Sequence, residues 1–276
     1  PIVDHGRNCM WTVKLALTAA GMEPQVVRYD GTGSRVTMWP VSGATVVGSM
    51  HTISQTRDWL VLADSGNFKA DMNEILGGER TVTVDQRVPV YFVRKEALES
   101  TPAGQPVPFV RAEFGPTTGH YYAQWDDSDG VKVLFEHLDL TDLGYRIVAG
   151  DVDAHGRPVD PRHVGMYQMA MAPQTVSEMT FDPEKGTVRV TASFREEWTW
   201  NLQLSAMDWS PAGLDSPELH HVVFQGRHPE VLARRVLDVY RDRIDPAAVS
   251  GGEQCARLVT LRRGDLSAPS VWEFPS

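Results

Sequence analysis

Short apolar runs that break at clusters of Asp and Gly recur along this chain, and three segments share the plan. "VVRYDGTGSRVTMW" (Val26 to Trp39) places two strand-like runs around an Asp/Gly turn. "HYYAQWDDSDGVKVLFEHL" (His120 to Leu138) repeats it with Asp126 to Gly130 at the bend, and "VSEMTFDPEKGTVRVTASF" (Val176 to Phe194) with Asp182 to Gly186. β-Branched and aromatic residues flank turns whose Gly and Asp tolerate the required backbone angles, which predicts hairpins. "RVPVYFVRKEAL" (Arg87 to Leu98) predicts another strand and "VVGSMHTISQTRDWLVLAD" (Val46 to Asp64) another hairpin. Hairpins joined by long Pro/Gly-containing connections indicate an all-β protein, for which a propeller and a sandwich fit the pattern equally well. No short repeat of the WD or kelch kind is visible.

One segment departs from this. "HPEVLARRVLDVYRDRID" (His228 to Asp245) has Pro229 at a first helical position, and Leu232, Val236, Val239, Tyr240 and Ile244 recur at three- and four-residue steps. Glu230/Arg234 and Arg234/Asp238 add charge pairs four residues apart. The expectation is a helical insertion docked on the sheets; a helix that touches a partner or a membrane surface is the alternative. No composition shift marks a boundary, so residues 1–276 read as one domain.

Composition narrows the function. The 276 residues are 42% hydrophobic and 22% charged, enough for a large core. A net charge of −10 and no Lys/Arg-rich block argue against a nucleic-acid surface. Cys9 and Cys255 are far apart, which indicates neither a disulfide framework nor a cysteine-based zinc site. A reducing, cytoplasmic setting is the expectation. No apolar run approaches a membrane span. "PIVDHGRNCM" has neither an initiator Met nor a signal-peptide pattern, which predicts a processed chain or a fragment.

Common catalytic signatures are absent: no Gly-x-Ser-x-Gly elbow, P-loop, Gly-x-Gly-x-x-Gly or His-Glu-x-x-His. "GTGS" (Gly31 to Ser34) lies in a hairpin turn with no following helix. Among the nine histidines, His220 and His221 are adjacent and on a strand point to opposite faces. His155 and His163 lie in a polar connection, His228 begins the helical segment, His5 lies near the start, and His137 ends a strand beside Glu136. His51 and His120 differ. Each follows a short small-residue approach, "GSM" or "PTTG", and leads into a hairpin, so each can project from an inner strand end. On the pattern alone, a packed core histidine remains the plainer account of either.

The segments around these two residues resemble the carotenoid cleavage oxygenases, the family that includes retinal-pigment-epithelium isomerase and bacterial lignostilbene dioxygenases. "SMHTISQTRDWLVLAD" is similar to the segment in which a ligand histidine precedes S/D-x-x-x-T-x-N-Y, with Thr56, Asp58 and Trp59 in the T, N and Y places. "GHYYAQWDDSDGVKVLFEHL" is similar to H-x-x-N-A-Y-E-E-x-D-x-V-V-x-D, with Ala123, Trp125, Asp126 and Asp127 in the A, Y, E and E places and Tyr122 where Asn is usual. "RVPVYFVRKEAL" resembles the strand bearing P-x-x-F-x-V-I-x-R, "WEFPS" (Trp272 to Ser276) resembles E-F-P-x-I-N, and "DHGRNCMWTVKL" (Asp4 to Leu15) resembles the strand after the first ligand.

The resemblance implies a seven-bladed β-propeller with a catalytic Fe(II) on its axis, held by four histidines. It makes His51 the second and His120 the third ligand, places the first before Pro1 and the fourth after Ser276, and so implies a central portion of a longer enzyme. Glu273 falls where a glutamate accepts a hydrogen bond from a ligand imidazole; a comparable glutamate falls in "APQTVSEM", at Gln174 or Glu178. The implied reaction cleaves one double bond of a carotenoid, apocarotenoid or stilbene with O2, giving two carbonyl products. Neutral imidazoles suit Fe(II) and leave positions open for dioxygen. An apolar substrate needs a greasy tunnel, which Trp39, Trp59, Trp125, Phe114, Tyr121 and Met166 can line, although aromatic residues at strand spacing are more often plain core. Peripheral membrane contact stays open as a partner, and the oligomeric state is undetermined. Two rivals stand beside this reading: a propeller-type hydrolase or lactonase with calcium or zinc at the acidic turn Asp126 to Asp129, and a non-catalytic β-propeller interaction module.

Overall fold

The fold comes from a computed structural model, which describes residues 1–275 apart from positions 20, 34–35, 47–48, 65–72, 74–75, 80, 82–86, 116–119, 139–140, 172–173, 197–201, 206–218, 225–230, 244, 246 and 248–254. It is all-β. Strands β1 (Ile2–Asp4), β2 (Cys9–Thr18), β3 (Gly21–Tyr29) and β4 (Val36–Pro40) form one antiparallel meander. A second consists of β5 (Ile53–Gln55), β6 (Trp59–Ala63), β7 (Val88–Arg94) and β8 (Val110–Phe114). The third contains β9 (Tyr121–Ala123) and β10 (Val131–Leu138), then a separate hairpin, β11 (Thr141–Arg146) with β12 (Tyr167–Met171), and then β13 (Gln174–Asp182) and β14 (Thr187–Glu196). The fourth runs through β15 (Leu202–Ser205), β16 (Leu219–Phe224), β17 (Arg257–Arg262) and β18 (Ser270–Glu273).

The turn-centred hairpins form where the sequence places them. β3 and β4 flank Gly31 and Gly33, both at positive φ, a backbone state that suits glycine. Cores fill the gaps between consecutive sheets. Val61, Phe92, Phe114, Phe135 and Phe181 pack between the second and third, where Phe92 stacks on Phe181 with centroids 3.7 Å apart. Trp11, Val26, Trp39, Leu60 and Leu62 pack between the first and second, and Leu134, Val176, Val222 and Phe224 between the third and fourth. "WLVLA" is therefore unbroken by polar residues because β6 is covered on both faces: Trp59, Val61 and Ala63 join one core, Leu60 and Leu62 the other.

Two elements differ from expectation. The segment read as one strand to Leu98 turns helical at Lys95, giving α1 (Lys95–Ser100). "KEALES" consists largely of good helix formers with Leu98 turned inward, and the apolar alternation stops at Arg94. The helix expected over 228–245 is limited, in the described residues, to α2 (Arg234–Val239); His228, Pro229, Glu230 and Ile244 lie outside them. Ala233, extended at the cap of α2, donates its N–H to the Tyr145 hydroxyl, which in turn donates to Val231 O. Leu232, Val236 and Tyr240 are buried, Val239 is exposed, and the Arg234–Asp238 pair forms at 3.3 Å. Arg235 meets Asp151 and Arg234 N donates to Val152 O, so α2 docks on the polar connection after β11. Among the described residues no helix is long and apolar enough to cross a membrane.

The first strands of three sheets lie side by side. Gln55 Nε2 donates to Val3 O at 2.7 Å, and Ala123 N donates to Ser54 Oγ at 2.7 Å. Beneath their C-terminal ends sits Lys95, fully enclosed. Its ammonium donates to Asp4 Oδ2 (2.7 Å), Gln55 Oε1 (2.9 Å) and Thr56 O (2.6 Å) and lies 4.9 Å from the Trp125 ring centre. All three protons have acceptors on the first and second sheets, and the indole beside them lies in the β9–β10 turn of the third. Burial pulls the Lys95 ammonium below its ordinary range against the opposing pull of Asp4. Burial pushes the Asp4 carboxyl up, but Lys95, Trp11 and the Arg7 amide outweigh it and hold it below the usual value.

Breaking a buried pair strands its partner, so Lys95→Met is expected to lower unfolding free energy by about 3–5 kcal/mol in urea titrations, with much of the loss recovered in Lys95→Met/Asp4→Asn. Because the folded Asp4 pKa is depressed, its stabilisation is present above 3.8 and lost as pH falls through the lower folded value. Asp4→Asn is expected to flatten that acid limb; an unchanged limb would mean that Asp4 does not carry it.

Candidate functional site

The site starts from a turn. The β9–β10 hairpin folds about Ser128, pairing Ala123 with Val133, Tyr122 with Leu134 and Tyr121 with Phe135. One step further, Glu136 N donates to His120 O at 3.3 Å, which places these two residues opposite each other and their side chains on one face. His120 Nδ1 accordingly lies 3.0 Å from Glu136 Oε2. Glu136 is wholly enclosed, burial pushes its carboxyl well above the usual range, and its Oε1 is buried with no hydrogen-bond partner among the described residues.

His51 stands two residues ahead of β5, as His120 stands one ahead of β9, and their Nε2 atoms are 3.2 Å apart. The rings meet at 61° with centroids 5.0 Å apart. Partial burial, then the facing charge of His120, holds the His51 imidazole below its ordinary pKa and favours the neutral form. Two such nitrogens can share a proton or present lone pairs to one cation. A carboxylate at 136 that accepts Nδ1–H leaves the lone pair of His120 on Nε2, the atom that faces His51. Nitrogen ligands with ~2.1 Å bonds to a common metal sit about 3.0–3.4 Å apart on the edge of an octahedron or tetrahedron. The observed 3.2 Å falls within that interval, so the donor set fits an imidazole-bound cation. Among the described residues no group of three or more His, Cys, Asp or Glu could hold a metal, so the described chain offers the pair.

Glu273 is not brought to this pair. It lies on β18, whose residues are all exposed, and its carboxylate meets the guanidinium of Arg257, its cross-strand partner. Glu178 accepts the Gly264 amide with both oxygens at 3.0 Å, and the side chain of Gln174 lies outside the described residues. The imidazole acceptor that the structure provides is Glu136. Its signal was in the hairpin: folding at Ser128 sets 136 opposite 120, but a glutamate at a strand end reads as solvated until its face is known. Among the described residues the other histidines stay apart. His5 and His155 are exposed in turns, His163 is half-buried, His137 Nε2 lies 2.8 Å from Ser177 Oγ, and His221 lies beside Thr260.

The aromatic residues considered for a tunnel are mostly core. Trp59, Phe114 and Tyr121 pack between the second and third sheets, Trp39 between the first and second, Trp125 faces Lys95, and Met166 is exposed. The acidic turn is committed to structure. Asp127 accepts Thr56 Oγ1 (2.6 Å), Asp58 N (2.9 Å) and Arg57 (3.0 Å), tying the β5–β6 turn to the β9–β10 turn, while Asp126 accepts Ser128 N at 3.1 Å. The cleft of about 580 Å³ beside it is lined by Arg57, Arg94, Asp127, Asp129, Asp182 and Arg189, charged chemistry at the strand ends opposite the imidazoles.

No protein-family model and no curated protein matches the chain.

Asp127→Ala orphans three donors and is expected to cost about 1–3 kcal/mol in urea unfolding. Millimolar calcium should leave the wild-type midpoint unmoved; a rise that Asp127→Ala abolishes would return the acidic turn to a metal role.

Proposed function

We propose that this chain is a non-haem Fe(II) dioxygenase of the carotenoid-cleavage type, which splits one carbon–carbon double bond of a carotenoid, apocarotenoid or stilbene with O2 into two carbonyl products. The supporting observation is the His51–His120 pair, Nε2 to Nε2 at 3.2 Å, backed by an enclosed carboxylate at 3.0 Å. In this reading His51 and His120 hold the iron as neutral ligands. Glu136 fixes the His120 tautomer and strengthens it as a donor. Iron supplies the dioxygen chemistry that side chains lack. The four-stranded meanders are read as blades of a seven-bladed β-propeller, and the neighbouring first strands β1, β5 and β9 support that reading because such strands surround the axis of a propeller. Substrate and O2 are the small-molecule partners.

Anaerobic Fe(II) loading followed by metal analysis tests this. Wild type is expected to retain iron, His51→Ala and His120→Ala to lose it with near-native folding, and Glu136→Gln to weaken it about 10–100-fold. O2-dependent formation of paired carbonyl products from polyene or stilbene substrates should follow the iron. Iron content equal in wild type and the His51→Ala/His120→Ala variant would leave the interaction-module reading in its place.

A further inference from the structure

The two imidazoles are carried by different sheets, so no single hydrogen-bond ladder sets their separation. It depends on contacts that cross the gap between β5 and β9. Among the described residues, Asp127 accepts Thr56 Oγ1, Asp58 N and Arg57 there, Trp125 O accepts Arg57 N at 2.8 Å, Ser54 Oγ accepts Ala123 N at 2.7 Å, and the Tyr121 hydroxyl donates to Thr52 O at 2.5 Å. Only the last joins the residues next to the histidines, since Tyr121 follows His120 and Thr52 follows His51.

The phenol is built as a strut. Its ring stacks on Phe135 at 5.0 Å and 10°, within the core between the second and third sheets. Its oxygen accepts Ala63 N at 2.9 Å, and its one proton faces two carbonyls, Val61 O at 3.1 Å and, much nearer, Thr52 O at 2.5 Å. Because strand residues alternate, Tyr121 points away from the face that carries His120 and Glu136 and braces the strand from behind.

We propose that the Tyr121 hydroxyl sets the distance between the His51 and His120 imidazoles, a positioning role that deepens, and rests on, the reading of those imidazoles as a ligand pair. Sites of this kind hold their groups to within about 0.5 Å, and a bond pinned one residue from each ligand meets that need. Losing the donated proton lets the Thr52 carbonyl turn away and takes His51 with it.

The test uses two readouts on the full chain: the nuclear Overhauser cross-peak between the His51 and His120 rings in metal-free protein, and Co(II) affinity by titration. In Tyr121→Phe the cross-peak is expected to fall several-fold and Co(II) affinity about 10-fold. Ser54→Ala removes the neighbouring crossing bond and should leave both unchanged at a similar loss of stability. 4-Aminophenylalanine in place of Tyr121 restores a donor and should restore both; it also serves if Tyr121→Phe does not fold, and loss of the cross-peak in that variant overturns the proposal. A cross-peak and affinity in Tyr121→Phe equal to wild type overturn it as well. If wild-type protein binds no Co(II) while the cross-peak still depends on Tyr121, the metal reading fails and the strut stands.

Discussion

A single enclosed ammonium joins the first strands of two sheets and lies against an indole of the third. Lys95 leaves the second sheet, crosses to Asp4 on the first, closes on Gln55 and Thr56 of its own sheet, and lies against Trp125 in the β9–β10 turn of the third. A buried lysine is costly unless each proton and its charge are answered, and here they are. The first strands it secures are three residues long, too short to hold one another by ladder bonds. Side chains therefore do what backbone pairing does elsewhere.

That constraint explains the asymmetry of the strand ends. At the C-terminal ends of β1, β5 and β9, charge is neutralised by charge: Asp4 with Lys95, and Asp127 with Arg57 and two further donors. At the opposite ends, His51 and His120 meet with Glu136 behind His120. Glu136 keeps one oxygen unanswered among the described residues, in a place where an unpartnered carboxylate is expensive. In the proposed role that expense has a use, because a cation held by the imidazoles would favour the ionised carboxylate, which accepts the hydrogen bond of His120 Nδ1–H and leaves that imidazole neutral.

Apolar packing supplies the rigidity on which this depends. The second sheet has a core on both faces, and β6 is buried throughout. Burial of each large apolar side chain contributes roughly 1.5–3 kcal/mol, so the sheets are firm walls while the residues between their inner edges are tuned by single hydrogen bonds. Tyr121 belongs to both regimes, its ring in the core and its hydroxyl at the edge.

Local chemistry carried much of this in plain view. The hairpins at Gly31, Ser128 and Gly186, the buried run at Trp59 and the apolar face of Leu232, Val236 and Tyr240 were legible because turn residues and side-chain period act within a few positions. Their place ahead of strands set His51 and His120 apart from seven other histidines, and the resemblance of the segments around them made them candidate ligands. Other features were not local. Lys95 looks like an ordinary surface lysine until Asp4, Gln55 and Thr56 converge on it from far along the chain. The resemblance implied Glu273 as the acceptor; the face of β10 instead buries Glu136 behind His120, and the open edge of β18 leaves Glu273 to Arg257. Sequence by itself determined the strands, their turns and the two imidazoles worth following. Only the packing of one sheet against the next decided which carboxylate stands behind them and how far apart they are held, because burial and distance belong to contacts between segments that the order of residues does not contain.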